Sequence, residues 1–147
     1  MKKVYFLSAD KSVNAKNRSS IEKLLIQLFH HEKVSLNRID YIFCSDDYLL
    51  EINQQFLRHE TYTDVITFPL SKPDEPVYAE VYMSVDRIKE NAKAFKVPYQ
   101  NELLRVMIHG ALHLCGYTDH TDAQKQTIHS KEDYYLNKFA VSRETII

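Results

Sequence analysis

The segment His109-Gly110-Ala111-Leu112-His113-Leu114-Cys115-Gly116-Tyr117-Thr118-Asp119-His120 holds three of the chain's seven histidines and both of its glycines. The run ahead of it, Glu102-Leu103-Leu104-Arg105-Val106-Met107-Ile108, is apolar and compatible with a helix. A helix carried through His113 sets His109 and His113 at i and i+4, one turn apart on one face. Two imidazoles so placed can converge on one ion, the local geometry of the HExxH helix. Gly116 suits a left-handed stop, and past it the chain turns back to offer a third ligand, Asp119 or His120. Three protein ligands with a fourth position left to water are the catalytic form of a zinc site, not the closed structural form. A His pair at this spacing also arises by chance. The glycines, the turn and a third donor at short range weigh against that bland reading. Gly110 stands where a zinc protease carries its general-base Glu, so any base comes from elsewhere in the chain.

Outward from this helix, the pattern alternates strand and helix. Residues 3–8 read as a first strand, and Ile21, Leu24, Leu25, Leu28 and Phe29 give a helix that starts near Asn17–Ser20 its core face. His30 and His31, at its C-terminal end, read as solvated partners of the helix dipole. Residues 36–44 alternate as a second strand. Ser45 then caps a helix that ends near Arg58, with Asp46 and Asp47 in its first turn. Residues 64–69 and 77–86 read as third and fourth strands, and 86–95 as a helix that breaks at Pro98. The metal helix spans about 99–115, and a last helix about 122–141. The order β, α, β, α, β, β, α, α, α describes an α+β domain. Its mixed sheet has about four strands and about five packed helices, with the metal helix across the sheet.

At 147 residues the chain is one domain with room for a core. Apolar residues make up 44% and charged residues 27%, ordinary for a soluble globular protein. No apolar run approaches the ~20 residues of a membrane span, so no membrane partner is expected. The apolar stretch after Lys3 stops at Ser8, too short for a signal peptide and better read as an edge strand. Cys44 and Cys115 form no framework, which points to a reducing cytoplasm. The net charge of −1 supplies no global footprint for nucleic acid. Any RNA surface must therefore come from local clusters of Lys and Arg.

The His109–His120 segment resembles the His-Gly-x-x-His-Leu-x-Gly-Tyr-Asp-His signature of the YbeY family, bacterial metal-dependent endoribonucleases of ribosomal RNA maturation. The family's third His falls, without a gap, on Asp119. A carboxylate oxygen also ligates zinc, so Asp119 is preferred as third ligand, with His120 the alternative. A second stretch, Asn53 to Pro69, resembles the family's Leu-Asn-x-x-Tyr-Arg…Thr-Asp-Val-Leu-Ser-Phe-Pro. The match holds at Asn53, Phe56, Thr63-Asp64-Val65, Phe68 and Pro69. The family's functional Arg aligns with Leu57, and Arg58 follows one residue later. Arg58 is either a phosphate clamp that stabilises developing charge or a surface residue at a helix end. Asp64 reads as a strand-start residue bonded to backbone amides, unless it partners a ligating His. Glu80-Val81-Tyr82-Met83-Ser84 resembles the family's Gly-Asp/Glu-Ile-x-Ile-Ser strand, with Ala79 in place of Gly. Such a strand would wall a substrate groove as an edge strand does. Glu80 would contact substrate or act as base if it faced the metal, and is otherwise a charge at the core's edge. His129 reads as surface, and Lys131-Glu132-Asp133-Tyr134-Tyr135 as a solvated face plus core aromatics.

The resemblance implies a zinc-dependent endoribonuclease cutting single-stranded RNA, with one Zn²⁺ per chain held by His109, His113 and Asp119 or His120. It further implies work on the small subunit's ribosomal RNA 3′ end, ribosome quality control, and contact with ribosome-associated proteins. His113 and Arg58 are the catalytic candidates. His and carboxylate ligands also suit other divalent transition metals. Two rivals use the same residues: a metalloprotease-like hydrolase, against which the missing Glu counts, and a non-catalytic ribosome-associated factor with a structural metal.

Overall fold

The computed structural model describes residues 2–12, 15–58 and 63–146, with side chains through residue 140. Nine elements run in order: β1 (Val4–Ser8), α1 (Arg18–His31), β2 (Leu36–Cys44), α2 (Asp46–Leu57), β3 (Val65–Pro69), β4 (Val77–Ser84), α3 (Val85–Phe95), α4 (Tyr99–Leu114) and α5 (Asp122–Ile146). Each matches its expectation from sequence to within a few residues. The strands form one mixed sheet in the order β1-β2-β4-β3. β1 pairs parallel with β2, β2 parallel with β4, and β3 antiparallel with β4. The result is the expected α+β fold of four strands and five helices among the described residues.

Strand alternation sorts the side chains into two layers. Ile39, Tyr41 and Phe43 of β2 and Val81 and Met83 of β4 face the main core with α1, α3, α4 and α5. Cys44 and Ile66 face the other side, where Leu49 of α2 covers them. α4 is buried along most of its length and lies against β3 and β4. The buried Tyr41 hydroxyl donates to the Met107 carbonyl at 2.9 Å, tying β2 to the middle of α4.

The expectation that β4 walls a substrate groove as an edge strand does is corrected by this order, since β2 and β3 pair with β4 on both sides. The edge strand next to α4 is β3.

A part-buried polar knot joins α1 to α5. Glu32 accepts from the Tyr117 hydroxyl at 2.7 Å, the Tyr135 hydroxyl at 2.5 Å and the Lys131 ammonium at 3.3 Å. Burial works to raise the Glu32 pKa, but these three donors outweigh it and hold the carboxyl below its usual value. Its folded pKa is thus below its unfolded one. The stabilisation is complete above the unfolded value of about 4.3 and fades as pH falls through the folded value. Glu32→Gln is expected to cost about 1–2 kcal/mol at pH 7 and to flatten the acid limb of stability. Urea unfolding between pH 7 and 3 reads this directly. An acid limb as steep as in the parent chain would refute it.

Candidate metal centre

Two local devices place the donors. α4 ends in a Schellman turn: Gly116 takes φ +103°, its N–H donates to the His113 carbonyl at 3.0 Å, and the Tyr117 N–H donates to the Leu112 carbonyl at 3.1 Å. α5 opens in a capping box. The Thr121 hydroxyl accepts from the Gln124 N–H at 3.1 Å, and the Gln124 side chain accepts from the N–H groups of Thr121 at 3.1 Å and His120 at 2.9 Å. The short span between these fixed ends turns Asp119 back towards α4.

His109, His113 and Asp119 offer ligand atoms that all lie within 4.8 Å of one another. The two Nε2 atoms are 2.9 Å apart, and Asp119 Oδ2 lies 3.5 Å from His109 Nε2 and 3.4 Å from His113 Nε2. A tetrahedral shell with ligand bonds of about 2.0–2.1 Å sets its donors about 3.3 Å apart. The observed triangle therefore fits a small divalent cation on both size and donor chemistry. His120 is exposed and also lines the cleft, and its backbone N–H is held by the capping box.

Both imidazoles are fixed from behind. His113 Nδ1 lies 2.8 Å from the Tyr117 carbonyl oxygen, and His109 Nδ1 lies 2.6 Å from Glu132 Oε2. Burial works to lower the His109 pKa. The hydrogen bond and charge of Glu132, with the charges of Asp64 and Asp119, outweigh it and hold the ring above the usual histidine value. Glu132 corrects the expectation of a solvated face: it is 5% exposed, on the same stripe of α5 as the buried Ile128 and Tyr135. The helical spacing from Ile128 (i+4) and to Tyr135 (i+3) is the signal that locates it in the sequence.

The site opens into a cleft of about 640 Å³ lined by Asn53 and Leu57 of α2, residues 63–67 and Pro69 along β3, and the donors. Asp64 sits in this cleft. Burial raises its carboxyl pKa above the ordinary range, and the charge of His109 works against that rise. Arg58 is exposed, caps α2 at φ 57°, and is not among the cleft's lining residues, whereas Leu57 is. His59, Glu60, Thr61 and Tyr62 lie outside the described residues. Glu80 is not in the cleft either. Its neighbour Val81 faces α4, so alternation turns Glu80 to the α2 side, where it lines a separate pocket with Tyr48 and Tyr82. His129 is exposed, as expected. Burial pushes the Cys44 and Cys115 thiols up to about 12, which leaves neither a ready nucleophile.

Gly110 faces the sheet. A Cβ there would meet Val81 Cγ1 at 3.0 Å and Thr67 Oγ1 at 3.5 Å. A protease-type Glu has no room at this position, which disfavours the protease rival on structural grounds.

A family profile described as Endoribonuclease YbeY matches residues 4–140. The chain belongs to the YbeY family. A curated Endoribonuclease YbeY from Flavobacterium psychrophilum is 54% identical over 112 residues, covering 76% of this chain and 79% of that relative. One from Cytophaga hutchinsonii is 39% identical, covering 91% and 94%. Among solved structures, the solution structure of TM1509 from Thermotoga maritima aligns with TM-score 0.62 and 30% identity, over 97% of this chain and 92% of that one. Membership thus covers the sheet, the metal helix and most of α5 of this YbeY-family chain. None of its helices is long and apolar enough to cross a membrane among the described residues.

Proposed function

We propose that this YbeY-family chain is a single-domain, zinc-dependent endoribonuclease that cuts single-stranded RNA. Its place would be the cytoplasm, in maturation of the small-subunit ribosomal RNA 3′ end and in ribosome quality control, with ribosome-associated proteins as partners. The observation that carries the reading is the triangle of His109, His113 and Asp119, open to a cleft, in a chain matched to Endoribonuclease YbeY over residues 4–140. Two imidazoles and one carboxylate suit zinc and admit other divalent transition metals.

In this reading His109, His113 and Asp119 hold the ion, which when bound supplies Lewis acidity to polarise a phosphoryl oxygen and to acidify water. Glu132 and the Tyr117 carbonyl keep the two rings turned towards the cleft. β3 and the end of α2 wall the cleft in which a substrate strand would lie. Arg58, one residue beyond the wall residue Leu57, is the proposed clamp on a substrate phosphate.

The test is cleavage of an end-labelled single-stranded RNA by zinc-loaded and chelator-stripped protein, beside the same sequence in duplex and a denatured protein substrate. Only zinc-loaded protein on single-stranded RNA is expected to cut, and Arg58→Ala is expected to slow it about 10²-fold. Equal cutting after chelation would remove the metal from the reaction. Peptide cleavage without RNA cleavage would favour the protease rival.

A further inference from the structure

The two histidines of the triangle are backed by acceptors of different charge. His113 Nδ1 faces a backbone carbonyl, that of Tyr117, at 2.8 Å. His109 Nδ1 faces the Glu132 carboxylate at 2.6 Å. The other Glu132 oxygen accepts from the Arg105 guanidinium at 2.9 Å, and Arg105 also reaches Asp133 at 2.6 Å. A carboxylate in an ion pair with arginine only accepts, so His109 Nδ1 must donate. The opposite tautomer would set two lone pairs face to face across 2.6 Å. With the proton on Nδ1, the neutral ring has its free lone pair on Nε2. That is the atom 2.9 Å from His113 Nε2 and 3.5 Å from Asp119.

We propose that Glu132, locked by Arg105, is a positioning residue that fixes the Nδ1–H tautomer of His109 and presents its Nε2 lone pair to the cation. This rests on the metal-centre reading above. Glu132 touches no reacting atom and acts through His109 alone. It makes α5 part of the metal centre, because the helix supplies the acceptor from 13 residues beyond Asp119. Partners of ligating histidines typically change metal affinity about 10–100-fold when removed.

The experiment uses the full chain with ¹⁵N-labelled histidine: the parent sequence, Glu132→Gln, Glu132→Ala, and Asp133→Asn as a control on Arg105's exposed partner. Zinc affinity is read by competition with a chromophoric chelator, and the tautomer by imidazole nitrogen shifts in metal-free protein at alkaline pH, where the ring is neutral. The parent is expected to carry the His109 proton on Nδ1. Glu132→Gln, which keeps the side chain's size, is expected to bind zinc about 10–100-fold more weakly with an unchanged far-UV spectrum, and Glu132→Ala at least as weakly. Asp133→Asn is expected to match the parent. A parent that binds zinc, with Glu132→Gln binding it equally well, overturns the proposal alone. A parent that binds no zinc overturns the metal-centre reading and the proposal with it. A metal-free parent with the His109 proton on Nε2 overturns the proposal without recourse to any variant.

Discussion

His113→Ala is expected to abolish zinc binding and RNA cleavage together while leaving the fold intact. The side chain is 27% exposed in the cleft, so its removal opens no core cavity. It does remove one of three donors. If the three share a binding energy of about 10–16 kcal/mol, losing a third weakens zinc about 10²–10⁴-fold. Asp119→Ala is expected to behave alike. His120→Ala is expected to keep both metal and activity, since the two imidazoles and the Asp119 carboxylate already close the triangle. Metal content, circular dichroism and RNA cleavage on identically purified proteins check all three. A His113→Ala preparation that cuts as fast as the parent sinks the nuclease reading, because its activity then belongs to a contaminant. If His120→Ala were the variant that lost zinc, the ligand set would be wrong.

Gly110→Leu is expected to cost about 3 kcal/mol, near the top of the usual range for overpacking a close contact. A Cβ at this site already sits 3.0 Å from Val81 Cγ1. Val81 is fully buried on a strand paired on both sides, so it has nowhere to retreat. The added isobutyl group must push α4 off the sheet. The expected fall in melting temperature is about 6–12 °C for a chain of this length. Gly110→Ala makes the same 3.0 Å contact but adds no isobutyl group and gains ~1 kcal/mol in helix propensity over Gly, so it is expected to cost less than the Leu variant. Thermal and urea unfolding measure both. A Leu variant that melts with the parent would mean that Gly110 does not face β4.

Much of this arrangement is legible in the amino-acid sequence, because its signals are local. Ser45 and Gly116 mark a helix start and stop, and alternation at Ile39, Tyr41 and Phe43 marks a strand. The i, i+4 histidines and the carboxylate just past the turn name the donors. What local signals cannot carry is the order of strands in the sheet, which pairs residues far apart in sequence. Local pattern therefore offers β4 as a wall of the substrate groove and leaves both faces open for Glu80, whereas β3 walls the cleft and Glu80 faces α2. Glu132 escapes a local reading for a related reason. In a run of charges it looks solvated, and only its spacing from Ile128 and Tyr135 on α5 reveals the buried face. The Asn53–Pro69 stretch stands out through its resemblance, yet its physical sense, a wall of the cleft made by α2 and β3, emerges only once the chain is folded.

The knot at Glu32 also sets an order in time. Its three partners lie 85, 99 and 103 positions downstream. At about 5–20 residues per second, the chain takes about 5–20 s after Glu32 is made to produce the last of them. Through that interval the end of α1 waits with its carboxylate incompletely filled, Tyr117 arriving first and Tyr135 last. The junction of α1 with α5 is thus among the last parts of the molecule to be tied down. A chain cut short ahead of Lys131 still contains every strand, both histidines of α4 and the Tyr117 donor, but it lacks two of the three groups that fill Glu32 and the length of α5 that docks on α1.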